Sequence, residues 1–570
     1  MVQGLVGPGE DQRPPQDCGR PVRACPSLRS PATAGRDRLR GLFIFLASLA
    51  LLLPWLGTPV VQRTPELRVA LVARDMAVGG NWIVPRFQDR VRLNKPPLMY
   101  WLTAPLLAVT GRPASPFWVR LPAALAGACL CVLIYCGGRR LVGRRAAFTA
   151  ALVPAASAGL LRFARLAETD VTSTLLMTAG MIWLFAALRR PKRWRPWIMA
   201  GALCGLGFMV KSPAPLVIPL LTGAAFAAVT RRPWRTFVTG RACAGLAAFA
   251  LIVVPWHAAV FLLLPAQGPD VVSAEIGTVV AGSRHPEAFY FYLYELPLML
   301  LPWGLLLPPA LAALWGRCRG HAGPRFIMAW FLVTFILLSV LSSKQVHYAL
   351  LFLPPPALMA GWFIARALPH RRGWAAVTAR SYGRVVVAAL GLCGVVFICA
   401  PTMPVGVKAG VLIAAGAVAV LIAAVSLVLP AVRRARMGPA LAVVLLMAVL
   451  VWGFMAGAYA AVEDDVIIPA FTAAAADRVD AAHAILVTGN GQAVAAFYLA
   501  REVAYAEDYQ TAWAAARPGD AVMVVERRVR RNLLTENTYP SAPELFMSRG
   551  GTACALYRKL AAPANSRRPE

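Results

Sequence analysis

Stretches of about 17–22 residues without a charged side chain recur along the sequence, and short clusters of arginine stand between them. A helix of that length matches the ~30 Å hydrocarbon core of a bilayer. Of 570 residues 58% are hydrophobic and the mean hydropathy is +0.60. A soluble domain has no use for so much apolar surface, so the pattern specifies an all-α polytopic membrane protein. The formal net charge of +32 does not argue for nucleic acid, because the basic residues sit in short loops between apolar runs and no basic-aromatic stripe is present. Most cysteines lie inside apolar runs (Cys129, Cys131, Cys136, Cys204, Cys243, Cys393, Cys399) and read as small packing residues, with no metal-ligand spacing.

The arginine clusters set the topology. Residues 137–145 (GGRRLVGRR), 189–195 (RRPKRWR) and 231–235 (RRPWR), with further clusters at 317–325, 366–384 and 433–436, should all face the cytoplasm. The apolar runs between them then pair: 147–162 with 170–188, 197–211 with 213–230, 241–263 with 298–315, 326–343 with 348–366, and 384–400 with 409–430. Adding 41–57, 118–138 and 440–461 gives about thirteen spans, with the N-terminus inside and the C-terminus outside. Charge parity leaves no crossing for residues 97–110. That run is expected to lie along the outer interface, with Pro96 and Pro97 in its first turn and Tyr100 and Trp101 at headgroup level.

Three domains follow. Residues 1–40, rich in Pro, Arg and Gly, form a disordered cytoplasmic tail; 41–461 form the transmembrane domain, with outer loops 58–117 and 264–297; and 462–570 alternate strand-like and helix-like runs, a small outer-side α/β domain. GNGQAV (489–494) follows a strand but lacks the third small residue of a dinucleotide loop, so it is a turn.

The outer ends of the spans carry the chemistry. Only six of the 58 Lys and Arg residues are lysines, yet Lys95, Lys211 and Lys344 all fall at outer ends of apolar runs. Arginine serves equally well for snorkelling, so compact ammonium groups there suit phosphate binding as point charges. Acids share that level: Glu66, Asp75 and Asp89 in the first loop, Glu168 and Asp170 at the junction of two spans, and Glu275, Glu287 and Glu295 in the later loop. Arg284, His285 and five aromatic residues lie in 283–295, and His347 and Tyr348 follow Lys344. Cations, carboxylates and aromatics at one membrane depth suit a lipid-linked phosphate substrate and a hydroxyl that must be deprotonated. Few charges lie mid-span and no internal repeat is evident, which favours an interfacial enzyme over a transporter or flippase.

The block ELRVALVARDMAVGGNWIVPRFQDRVRLNKPPLMYWLTA (66–104) resembles the first outer loop of the aminoarabinose-lipid A transferase family, which is related to protein O-mannosyltransferases. The resemblance continues through VRLPAALAG (119–127), ARLAETDV (164–171), GFMVKSPAPLVIPLL (207–221), 285–308 and 342–362. It implies a GT-C fold with a C-terminal periplasmic domain in the bacterial inner membrane. It implies inverting transfer of a sugar from a polyprenyl-phosphate donor to a hydroxyl on a lipid, glycan or protein. Carried over by position, Glu66 and Asp170 are the catalytic carboxylates. Arg68, Lys95, Lys211, Lys344, His347 and Tyr348 bind donor and phosphate. His285 is a possible ligand for a divalent metal, and no other cofactor is implied. Two positions depart from the family: Pro65 replaces the Asp of an Asp-Glu pair, and Asn94 replaces an acid before Lys95. These departures leave a catalytically degenerate scaffold open as an alternative.

Overall fold

The computed structural model describes residues 31–265, 287–367, 467–527 and 543–559 apart from a few single positions, with scattered helical residues between 377 and 449. Residues 1–30 of the expected tail 1–40, most of the apolar runs 409–430 and 440–461, part of 384–400, and His285 lie outside the described residues. Residues 41–570 belong to one compact unit.

Apolar runs become helices as the sequence leads one to expect. In chain order these are α1 (Pro31–Leu52), α2 (Thr64–Gly79), a short hairpin of β1 (Arg86–Phe87) and β2 (Arg90–Val91), α3 (Leu98–Thr110), α4 (Pro116–Leu141), α5 (Arg144–Ala155), α6 (Ala158–Phe163), α7 (Asp170–Arg189), α8 (Trp194–Val210), α9 (Ala214–Val229) and α10 (Gly240–Leu263). After the second outer loop come α11 (Phe291–Met299), α12 (Leu307–Arg317), α13 (Ala322–Val340) and α14 (Pro354–Ala367). Among the described residues α4, α7, α10 and α13 are each long and apolar enough to cross a membrane, and two further bent pairs pass the same test together. The chain is a multi-pass membrane protein.

Three differences from the sequence expectation have local causes. Helix α1 starts at Pro31, well before residue 41, where the apolar run begins. The run 147–162 is broken: α5 stops at Pro154 and Ala155, and Ser157 caps a new helix by accepting from the Leu160 amide. The run 298–315 turns through 118° between α11 and α12, where Pro297 and Pro302 interrupt the helical hydrogen bonds.

Helix α3 has 13 residues and rises about 20 Å, too little to cross the bilayer core. Its aromatic residues do not sit as expected. Tyr100 is 1% exposed and packs in protein rather than at the headgroups. The Trp101 indole donates to Trp82 O at 2.7 Å, and Trp256 of α10 donates to Ile83 O at 2.9 Å, so two indoles hold the 81–84 turn. Asn81 closes that turn by accepting from the amides of Ile83 and Val84.

Helices pack closely where side chains vanish. A Cβ on Gly201 of α8 would fall 1.8 Å from the Gly245 carbonyl of α10, so only glycine permits this crossing. The outward face of α10 stays exposed at Leu246, Leu251, Val254 and Leu262, which suits contact with lipid tails.

The C-terminal part is the expected small α/β domain. Helices α15 (Ile467–Arg478), α16 (Gln492–Tyr498) and α17 (Tyr509–Ala515) surround strands β3 (Ile485–Thr488), β4 (Ala504–Tyr505), β5 (Ala521–Arg527), β6 (Leu545–Arg549) and β7 (Thr552–Arg558) in the order β4-β3-β5-β7-β6. The first three strands are parallel and the last two pairings antiparallel, and β3 is buried along its whole length, as a central parallel strand requires. Gly489, at φ 96, makes the turn after β3. The domain is docked on the first outer loop: Val61 N donates to the Tyr498 hydroxyl at 2.9 Å, Arg74 donates to the carbonyls of Ala496 and Phe497, and Val69, Val72 and Met76 share a core with Phe471 and Phe497.

Candidate active site

The segment between α6 and α7, residues 164–169, organises the site. Two buried arginines fix its surroundings. Arg165 donates to Leu52 O at 3.0 Å and to Pro54 O at 2.6 Å, closing the C-terminal end of α1. Arg120, in the first turn of α4, grips Glu66 with two bonds (Nε to Oε1 2.6 Å, Nη2 to Oε2 3.0 Å) and donates to Leu56 O at 2.9 Å. Glu66 Oε1 also accepts from Ala167 N at 3.1 Å. The carboxylate is 1% exposed and its oxygens are engaged on both sides. Its geometry is that of a strut between α2, α4 and the loop before α7.

That loop delivers Glu168, Thr169 and Asp170 to one place. Asp170 opens α7, where a negative charge is favoured by the helix N-terminus, and Lys211 follows α8, where a positive charge is favoured. The two meet at 2.5 Å between Lys211 Nζ and Asp170 Oδ1. Lys95, on the turn before α3, donates to the Thr169 hydroxyl at 3.3 Å. The turn Val346–Phe352 brings His347 Nε2 to 4.0 Å from Asp170 Oδ1 and sets the Tyr348 ring 4.4 Å from Lys211 Nζ, a cation–π contact. His347 and Tyr348 stand edge to face at 4.8 Å.

Burial pushes the Lys95 ammonium down to about 8, and the neighbouring charge of Lys211 pushes the same way, while Asp170 opposes both. The charges of Lys211 and Arg92 act against the Lys95 ammonium, and those of Asp170 and Glu168 favour it, so three cations face two carboxylates here. Such a cluster is short of negative charge and suits an anion as its missing member.

Glu168 is 4% exposed, with Oε1 3.1 Å from Arg63 Nη1. Burial raises its carboxyl above the usual range, and Arg63 only partly offsets this.

The sequence-derived site residues therefore divide. Lys95, Asp170, Lys211, His347 and Tyr348 come together. Arg68 lies on α2, and its charge reaches the buried Tyr100, which Arg92 hydrogen-bonds. Glu66 is enclosed by Arg120. Lys344 is 4% exposed and turned inward, donating to Leu341 O at 2.7 Å and to Glu287 O at 3.0 Å. Among the described residues no three His, Cys, Asp or Glu side chains gather as a metal site, and Asn94 is exposed. Sequence reading missed Arg63, Arg120 and Thr169 as site-building residues. One signal was available for Arg120: it is the lone charge in the apolar stretch of α4, and such a residue needs a partner.

With this geometry in place, known proteins give it context. Residues 94–258 match the family profile described as dolichyl-phosphate-mannose-protein mannosyltransferase. The undecaprenyl phosphate-alpha-4-amino-4-deoxy-L-arabinose arabinosyl transferase 2 of Proteus mirabilis is 29% identical over 53% of this chain and 55% of its own length. The corresponding transferase of Edwardsiella ictaluri is 32% identical over 52% and 54%. The chain thus spans about half the length of the curated relatives it matches. The crystal structure of ArnT from Cupriavidus metallidurans bound to undecaprenyl phosphate superposes with TM-score 0.71, covering 94% of this chain and 100% of that one at 18% identity. The apo form of the same protein gives 0.72. The fold is therefore the GT-C membrane fold with a small C-terminal α/β domain. Within that class, the chain is similar in sequence to the aminoarabinose-lipid A transferases over about half of its length.

Proposed function

We propose that this protein is a glycosyltransferase that moves a sugar from a polyprenyl-phosphate donor to an acceptor hydroxyl on a lipid A-type or other envelope glycolipid or glycan. The reading rests on one observation above all: Lys211 pairs with Asp170 while Lys95 reaches the adjoining Thr169 hydroxyl, which brings two ammonium groups to one place with the charge of Arg92 close by. The relatives named for undecaprenyl phosphate-linked aminoarabinose carry out that kind of transfer, and the ArnT neighbour holds undecaprenyl phosphate.

In this mechanism the acceptor oxygen attacks the anomeric carbon of the donor. The bond from that carbon to the phosphate oxygen breaks, with inversion, and polyprenyl phosphate leaves carrying the electron pair. The developing charge falls on Lys95 and Lys211, supported by Arg68, and fixed charges aimed at a leaving phosphate are often the largest catalytic contribution. Asp170 holds the Lys211 ammonium in place; His347 and Tyr348 wall the same end. Glu66 acts through Arg120 and the Ala167 amide as a positioning residue. A divalent metal near His285 remains the one cofactor compatible with the resemblance.

The site would face the periplasm of the bacterial inner membrane, with residues 1–40 as a cytoplasmic tail and residues 462–570 as a periplasmic domain over the loop 58–117. The test is direct. Purified protein in nanodiscs is given a labelled polyprenyl-phosphate sugar and an envelope-lipid extract, and the lipids are analysed by mass spectrometry. A new sugar adduct that disappears in K95A, K211A and D170A proteins of normal abundance is the expected result. Movement of donor between leaflets without adduct formation would replace this reading with a flippase.

A further inference from the structure

Within that reading the position of the general base is open, because the proton of the acceptor hydroxyl needs a carboxylate with room to take it. Among the described residues three carboxylates bear on this site: Glu66, Glu168 and Asp170. Glu66 is 1% exposed and accepts from Arg120 twice and from Ala167 N, so a proton there would break the strut. Asp170 Oδ1 is held by Lys211 at 2.5 Å, and neutralising it would break that ion pair and leave Lys211 beside Lys95. Glu168 differs. It sits on non-helical backbone and is 4% exposed; its Oε1 is 3.1 Å from Arg63 Nη1 and makes no hydrogen bond among the described residues. Arg63 itself is 40% exposed, so Glu168 lies directly beneath the surface, where an acceptor arriving from outside the site would meet it.

We infer that Glu168 is the catalytic base, and that Arg63 is the residue that positions it. The acceptor O–H gives its proton to the Glu168 carboxylate as the oxygen–carbon bond forms and the carbon–oxygen bond to phosphate breaks. The electron pair goes to the phosphate, and Glu168 later returns the proton to water. The charged groups that act on Glu168 are Arg63 and Lys95, which favour its ionised form, and Asp170 and Glu66, which disfavour it. A carboxylate kept basic by burial is suited to such a task near neutral pH.

The experiment compares wild type, E168Q, E168D and D170N for sugar transfer across pH, and for binding of undecaprenyl phosphate. Removing a general base costs about 10²- to 10⁴-fold in kcat. E168Q is therefore expected to lose that much kcat, to bind undecaprenyl phosphate as wild type does, and to lose the fall in rate on the acid side. E168D, with its carboxylate drawn back by one methylene, is expected to keep that acid limb at a smaller loss. Three results overturn the inference: E168Q with wild-type kcat, an acid limb that vanishes in D170N but survives in E168Q, or loss of lipid binding together with rate in both Glu168 variants. If wild type itself transfers no sugar from any polyprenyl-phosphate donor, it is the proposed function that fails.

Discussion

Two ionic clusters lie within a few residues of each other, and they are built on opposite principles. Around Glu66 and Arg120 the charges match one to one, both side chains are almost wholly buried, and backbone groups take up the remaining hydrogen bonds. Around Asp170 three cations, Lys95, Lys211 and Arg92, face two carboxylates, Asp170 and Glu168; Lys95 is forced toward its neutral form, and an aromatic wall stands on one side. A saturated pair has nothing left to offer a ligand and can only hold backbone in place. An unsaturated cluster is held together at a cost, and a bound phosphate relieves it. The sequence shows both as an acid and a base near a membrane surface; only their surroundings separate strut from site.

The comparison can be broken most forcefully at Arg120. R120A leaves Glu66 as an uncompensated buried charge, and removing one partner of such a pair costs about 3–5 kcal/mol. Thermal unfolding in detergent should show this. E66Q/R120M, which removes both charges, should recover much of the loss, whereas equal stability of R120A and wild type would mean the pair is no strut. Next comes K211A. Loss of a cation aimed at the leaving phosphate should lower kcat about 10²- to 10³-fold with a smaller change in unfolding temperature than R120A gives. The reverse pattern, large unfolding and little kinetic effect, would make the two clusters alike.

A third prediction concerns pH. Lys95 is charged below about pH 8, so its hold on phosphate is present below that pH and fades above it. Donor kcat/KM should fall on the alkaline side in wild type and stay level in K95R, whose guanidinium does not titrate there. Stability runs the other way. The folded protein releases the Lys95 proton more readily than the unfolded chain does, so this residue's destabilising contribution is lifted as pH rises from about 8 toward 10.5. The smallest expected effect is that of N94D. A carboxylate beside Lys95 should favour the ammonium and move the alkaline fall to higher pH without changing the maximal rate.

Much of this was legible from the chain. Periodic charge clusters marked the helices, and the scarcity of lysine singled out Lys95 and Lys211. The misses have a common origin. Tyr100 was assigned to the headgroups because tyrosine often sits there; the docked α2 instead covers it with protein. Lys344 and Glu66 carry the residue types of a phosphate site and a base, but their partners, the carbonyls of Leu341 and Glu287 and the side chain of Arg120, come from distant or folded-back segments. Nothing local distinguishes Arg63 and Thr169, whereas Arg120 is marked only by being a lone charge in an apolar helix, which says that it needs a partner but not which one.

What the sequence determined by itself is the membrane-embedded helical class and the level at which its chemistry lies, because the bilayer imposes length and charge rules on every span independently. What the tertiary structure decided is which charges are already satisfied. That depends on the meeting of α2, α4, the 164–169 loop, the turn before α3 and the end of α8. Electrostatic energy is set by distance and burial in space, and neither is a property of spacing along the chain.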